Sequence, residues 1–157
     1  MKFQFINIGK PHDEHLKKAV DDFTKRISNY YSVEWLIIPP VKNAAVLPEA
    51  ELKKQEGKLI LNKLKTDDFV VLLDETGKQL SSVELSAFIQ QKINGGTRCV
   101  VFLIGGAFGV SDTIKQRADF TWSLSKLVFP HMIVRLILAE QVYRACTILR
   151  NEKYHHS

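Results

Sequence analysis

Apolar residues fall along the chain in bursts of two different periods, and the periods predict its elements. Lys2 to Ile8 is rich in Phe and Ile, is stopped by Gly9 and Pro11, and predicts a strand. From about His12 to Ile27 the apolar positions Leu16, Ala19, Val20, Phe23 and Ile27 recur at the interval of one helix face. Val33 to Ile38 predicts a second strand, closed by Pro39 and Pro40. Residues 41 to 48 read as a loop, with Pro48 in the first turn of a helix running to about Lys65. Phe69 to Leu73 is a continuous apolar run of strand length, and Asp74-Glu75-Thr76-Gly77 after it reads as a turn.

Ser81 and Glu84 have capping-box spacing, which starts a helix carried to about Ile93 and ended by Asn94-Gly95-Gly96. Cys99 to Ile104 is a second wholly apolar run, and it empties into Gly105-Gly106-Ala107-Phe108-Gly109. Ser111 is placed to cap a short helix to about Ala118, and Phe120 to Leu124 returns as a strand. Pro130 opens a long helix to about Arg150, with Glu140 four residues before Arg144. Its stretch Met132 to Leu138 is apolar on nearly every side except Arg135, the pattern of a helix buried in a core or a subunit interface. Strands alternating with helices predict an α/β sandwich with a mostly parallel sheet, and the length suits one domain over residues 1–157.

Composition changes this picture little. With 45% hydrophobic and 25% charged residues, the 157-residue chain has the balance of a globular protein, so neither metal nor disulfides are needed for folding. The formal charge of +5 suits a polyanionic partner, because Lys and Arg displace counterions from phosphates. Cys99 and Cys146 sit apart in apolar surroundings with no zinc spacing, which predicts buried, reduced thiols. Phe3, Phe5, Ile6 and Ile8 are too few for a signal-peptide core or a membrane span, so a cytoplasmic location and no membrane partner are expected.

The glycine loop after Ile104 follows a strand and precedes a helix. It reads either as a tight turn or as a place where backbone amides approach a ligand. It lacks the G-x-G-x-x-G spacing, it does not follow the first strand, and the chain has no G-K-[ST] sequence. Hydride-transfer enzymes and phosphate-loop ATPases are thereby disfavoured.

Three segments carry a family resemblance: Leu73-Asp74-Glu75-Thr76-Gly77-Lys78 with Ser81-Ser82, Phe102 to Gly109, and Trp122 to His131. With Arg135, the run Glu140-Gln141-Val142-Tyr143-Arg144-Ala145 and the terminal Tyr154-His155, they resemble the RlmH family of SPOUT-class ribosomal RNA methyltransferases across the whole chain. Ala107-Phe108 departs from the family, whose members often carry small or polar residues there. The resemblance implies a SPOUT fold with a C-terminal deep trefoil knot, an exception to the rule that chains do not thread their own loops. It also implies S-adenosylmethionine as methyl donor with no metal, 23S ribosomal RNA as partner, and a homodimer. The reaction implied is methylation of N3 of a pseudouridine in the large subunit.

Carried over by residue, the donor site would comprise Leu73, Gly105, Leu124, Ser125, Lys126, Leu127, Val128 and Phe129. That set suits the ligand, since adenine needs apolar walls and a few backbone hydrogen bonds at its polar edge. N3 must lose a proton, which calls for a base or a cationic site that favours the anion. His131, Arg135, Tyr154 and His155 are the candidates, and an aromatic beside an imidazole in the tail could stack on an extruded base. Two other readings fit less. A transfer-RNA methyltransferase of this class usually adds an RNA-binding extension for which 157 residues leave no room. A non-catalytic basic RNA-binding module would leave Leu124 to His131 unexplained.

Overall fold

The computed structural model describes residues 1–156. Five strands form one sheet: β1 (Lys2–Ile8), β2 (Ser32–Ile38), β3 (Phe69–Gln79), β4 (Cys99–Ile104) and β5 (Phe120–Ser123). Their order is β2-β1-β4-β3-β5, and every pairing is parallel. Five α-helices connect them: α1 (Glu14–Ile27), α2 (Glu49–Leu61), α3 (Ser82–Asn94), α4 (Asp112–Arg117) and α5 (His131–Leu149), with a 3-10 turn at Ala44–Val46.

The wholly apolar β4 accounts for the sandwich. Its side chains alternate between two faces, and both faces are covered. Val100, Phe102 and Ile104 join Phe3, Phe5, Ile27, Leu85, Ile89, Leu138 and Val142 under α1, α3 and α5. Cys99, Val101 and Leu103 join Ile6, Ile8, Ile60, Val70, Leu72 and Ile114 under α2 and α4. Cys99 and Cys146 are both free and buried, and burial pushes their thiols up to about 11 and about 12, so both stay protonated core residues.

Helix starts follow the sequence signals closely. Ser81 and Glu84 complete the capping box in both directions, at 3.1 Å and 2.7 Å. The Asp13 carboxylate accepts from the His15 amide, so α1 begins at Glu14 rather than His12. Pro48 and Pro130 stand at the N-caps with extended backbone instead of inside the first turn. Helix α2 ends at Leu61, short of Lys65, because the Asp68 carboxylate holds the Lys65 amide in a following turn.

Two expectations need correcting. Asp74 to Gly77 does not end the strand: β3 continues to Gln79, but Leu73 and Lys78 both pair with Trp122, so residues 74–77 bulge out of the ladder with β5. A Cβ on Gly77 would lie 2.6 Å from the Thr121 backbone, so the glycine lets the two chains pass at close range. Ser111 does occupy the cap of α4, but its hydroxyl makes no capping bond. It is buried without a partner and lies 2.6 Å from where a Gly57 Cβ would stand, drawn there by the packing of α2 on α4.

Candidate active site

Parallel strands deliver their C-terminal ends to one edge of the sheet, where ligands of open α/β folds bind. Here Leu73, where β3 begins to bulge, lies beside Ile104 at the end of β4 and Trp122 near the end of β5, and the segments that follow enclose a cavity of about 670 Å³. That is within the ordinary range for a nucleoside-sized ligand. Its walls come from Leu73 to Thr76, Ile104 to Val110 and most of Trp122 to Phe129, with His131 and Val134 of α5 and Glu49 and Lys53 of α2.

Each wall has a local cause. The Asp74 carboxylate accepts from the Thr76 amide at 2.9 Å and the Thr76 hydroxyl at 2.6 Å. Burial opposes ionisation of Asp74, but the two Thr76 bonds outweigh it and hold the carboxyl below its usual range. In the loop after Ile104, a Cβ on Gly105 would stand 2.6 Å from a methyl of buried Val110 and 3.3 Å from the Gly109 backbone. The glycine is thus required by the loop's own closure. After β5, the Ser123 hydroxyl donates to the Ser125 carbonyl at 2.9 Å, and the Ser125 hydroxyl accepts from the Leu127 amide at 3.0 Å. Trp122 lines the cavity too, and its indole N–H is buried with no partner among the described residues.

Of the four candidate catalytic residues, only His131 lines this cavity. Burial and the nearby Arg135 charge lower its pKa, against a smaller opposing bond from the Gly105 backbone, so the imidazole is held in its neutral form. Arg135 is 2% exposed and turns the other way. Its Nη1 donates to the Lys10 carbonyl at 3.0 Å and lies 3.3 Å from His12 Nδ1, tying the loop after β1 to α5. Tyr154 folds back on α5, donating to Glu140 at 3.1 Å with its ring 4.7 Å from the Arg144 guanidinium. Burial and Glu140 raise its pKa. His155 beside it has a buried Nδ1 with no partner among the described residues. Glu140 and Arg144 lie 9 and 13 residues beyond His131 on one helix. That is about 14 to 20 Å of rise, so a chain's own tail does not reach its own cavity.

Comparison with known proteins decides what kind of enzyme carries this cavity. A family model described as a predicted SPOUT methyltransferase matches residues 1–155. The chain belongs to the SPOUT methyltransferase family. Relatives named ribosomal RNA large subunit methyltransferase H align nearly end to end. The one from Flavobacterium johnsoniae is 47% identical over 99% of both chains. That from Cytophaga hutchinsonii is 45% identical over 99% of this chain and 100% of its own, and that from Parabacteroides distasonis is 41% identical over 99% of both.

In this SPOUT methyltransferase, seven of the eight residues expected at the donor site line the cavity: Leu73, Gly105, Leu124, Ser125, Leu127, Val128 and Phe129. Lys126 does not, being exposed between Ser125 and Leu127. Leu73, Leu124 and Phe129 are half-buried walls, whereas Leu127 and Val128 are 69% and 82% exposed at the rim beside exposed Phe108. Sequence reasoning missed Asp74, Thr76, Trp122, Lys53 and Glu56. Glu56 did leave a signal, because Leu52, Glu56 and Ile60 stand at one-turn spacing on the buried stripe of α2, where a carboxylate is out of place. Among the described residues no three His, Cys, Asp or Glu side chains cluster as metal ligands, and no helix is long and apolar enough to cross a membrane.

Proposed function

We propose that this SPOUT methyltransferase moves a methyl group from S-adenosylmethionine to N3 of a pseudouridine in 23S ribosomal RNA of the large ribosomal subunit, in the cytoplasm. The observation that carries the proposal is the cavity on which the bulge of β3 and the loops after β4 and β5 converge. End-to-end similarity to proteins named for ribosomal RNA methylation supports the choice of substrate. The residues present fit the donor: apolar Leu73, Leu124 and Phe129 for the adenine faces, and backbone amides of the 124–129 loop for its edge.

Bound there, the donor supplies a methyl group on a sulfonium sulfur, open to in-line displacement. The protein's share is to hold the acceptor in line and take its proton. A neutral His131 ring nitrogen at the cavity wall accepts the proton from N3, and the lowered pKa keeps it available near neutrality. The buried Arg135 charge favours the anionic acceptor from behind the wall without touching it. Tyr154 and His155 position the base.

A homodimer belongs to the same proposal, since Met132, Ile133, Leu136 and Ile137 leave an apolar face of α5 half-buried. Two-fold pairing is also what brings a tail to a cavity. The interleaved strand order supports one domain over residues 1–157, with the C-terminal trefoil knot that the resemblance implies. Mass spectrometry of 23S RNA from cells with and without the gene tests the substrate. Loss of one methyl group from a pseudouridine-containing fragment is the expected result, and unchanged RNA overturns it.

A further inference from the structure

Helix α2 presents one stripe to the cavity side of the sheet. Glu49 and Lys53 line the cavity, and Glu56 follows on the next turn. Glu49 and Lys53 pair with each other at 3.4 Å. Glu56 has no ion pair and no side-chain hydrogen bond among the described residues; the residue is 8% exposed, and its carboxylate oxygens keep a small solvent contact. Its oxygens lie 2.4 and 2.9 Å from where a Cβ on Gly106 would stand. Gly106 lines the cavity, so only a glycine backbone separates this carboxylate from the ligand space. Burial with no cation beside it pushes the Glu56 carboxyl up.

An unpaired acid in an apolar stripe costs stability unless something compensates it. Leu or Ile at the same position would extend the stripe of Leu52 and Ile60 at no such cost. The slight solvent contact of the carboxylate offsets this cost only in part, and a cation in the cavity would offset it further. We propose that Glu56 recognises the positively charged end of the methyl donor, acting across Gly106 as its counter-charge. This inference rests on the donor reading given above. Two cations share that end of the donor, the sulfonium and the α-ammonium, and both are attracted by a carboxylate in a wall largely shielded from water. If the sulfonium is the partner, the site also favours the cationic donor over its neutral thioether product, which helps product leave after each transfer.

Three ligands separate these sources in calorimetry on the intact protein. S-adenosylmethionine carries both charges, S-adenosylhomocysteine keeps the ammonium alone, and methylthioadenosine carries neither. Glu56→Gln is expected to bind S-adenosylmethionine about tenfold more weakly and methylthioadenosine as wild type does. Unchanged S-adenosylhomocysteine binding assigns the sulfonium, and an equal loss assigns the ammonium. Glu56→Leu, which continues the apolar stripe and should fold at least as stably, is expected to repeat the pattern. Equal weakening of all three ligands would make Glu56 a mere support of the glycine loop and overturn the proposal, as would no weakening of any. Wild-type protein that binds none of the three would overturn the donor reading itself, a result distinguishable from failure of Glu56 alone.

Discussion

The two loops that close the cavity are built in opposite ways. Residues 105 to 110 are anchored at both ends, with only Ala107 and Phe108 exposed at the tip: Gly105 is pressed against Val110, Gly106 against Glu56, and Val110 and the whole of β4 are buried. Residues 124 to 129 hang on two serine hydrogen bonds and leave Leu127 and Val128 largely in solvent. One wall is finished before a ligand arrives, and the other has apolar surface that a ligand can cover. Substitutions in the first should therefore act through the fold, and those in the second through binding alone.

The largest effect expected is at Gly105. A valine there has no room beside Val110, and overpacking of this kind costs about 1 to 3 kcal/mol. Gly105→Val should lower the unfolding midpoint and weaken donor binding by about a hundredfold or more. Val110→Ala added to Gly105→Ala should recover much of both losses, because it removes the methyl that the new Cβ meets. Lost donor binding with an unchanged midpoint would mean that the glycine faces the ligand and not Val110.

The tail sharpens the contrast, since it belongs to neither wall of its own chain. Deleting residues 154–157 should cut the methylation rate by about a hundredfold, or about 2.7 kcal/mol of transition-state stabilisation. Donor affinity measured on the same preparation should stay within about twofold. Wild-type methylation of ribosomal particles by the truncated protein would make the Tyr154 contact with Glu140 and Arg144 purely structural.

In the open loop, Ser125→Ala removes the bond to the Leu127 amide. A single such bond contributes about 1 kcal/mol, so donor affinity should fall about fivefold while the unfolding midpoint barely moves. A marked drop in stability would show this loop to be as deeply built into the fold as its neighbour.

The contrast also sorts what the sequence could disclose. Every strand and α-helix was legible from period and punctuation, because one apolar stripe per element faces one of two layers. Seven cavity residues were legible from resemblance, since they belong to contiguous segments. The continuation of β3 past Gly77 was hidden because Asp-Glu-Thr-Gly has turn chemistry, and only the closeness of Thr121, more than forty residues away, calls for glycine. Arg135 was read as a catalytic candidate, but its direction depends on the Lys10 carbonyl, a partner 125 residues distant that no local pattern encodes. Tyr154 and His155 were visible as unusual tail residues, while the seat of Tyr154 on Glu140 and Arg144 looked like an ordinary helix pair.

The smallest effect expected is a shift in a pH profile. His131 stands where the packed loop meets α5, and burial with the Arg135 charge lowers its pKa below the usual 6.5. If its neutral ring takes the proton from N3, activity needs the unprotonated form, which persists to lower pH the more the pKa is depressed. The acid limb of kcat/KM should therefore fall below pH 6.5, with full activity retained at neutrality. His131→Gln should abolish that limb, because no group titrating in this range is then left at the position. The same depression bears on stability with a definite sign. Because the unfolded chain binds the proton more readily, the contribution of neutral His131 is present above the unfolded pKa and lost as pH falls from there toward the folded value. Rates measured from pH 5 to 8 on protein shown to remain folded separate the two effects. An acid limb centred at or above the ordinary histidine value would show that the wall does not hold His131 neutral, and the proton would have to leave by another group.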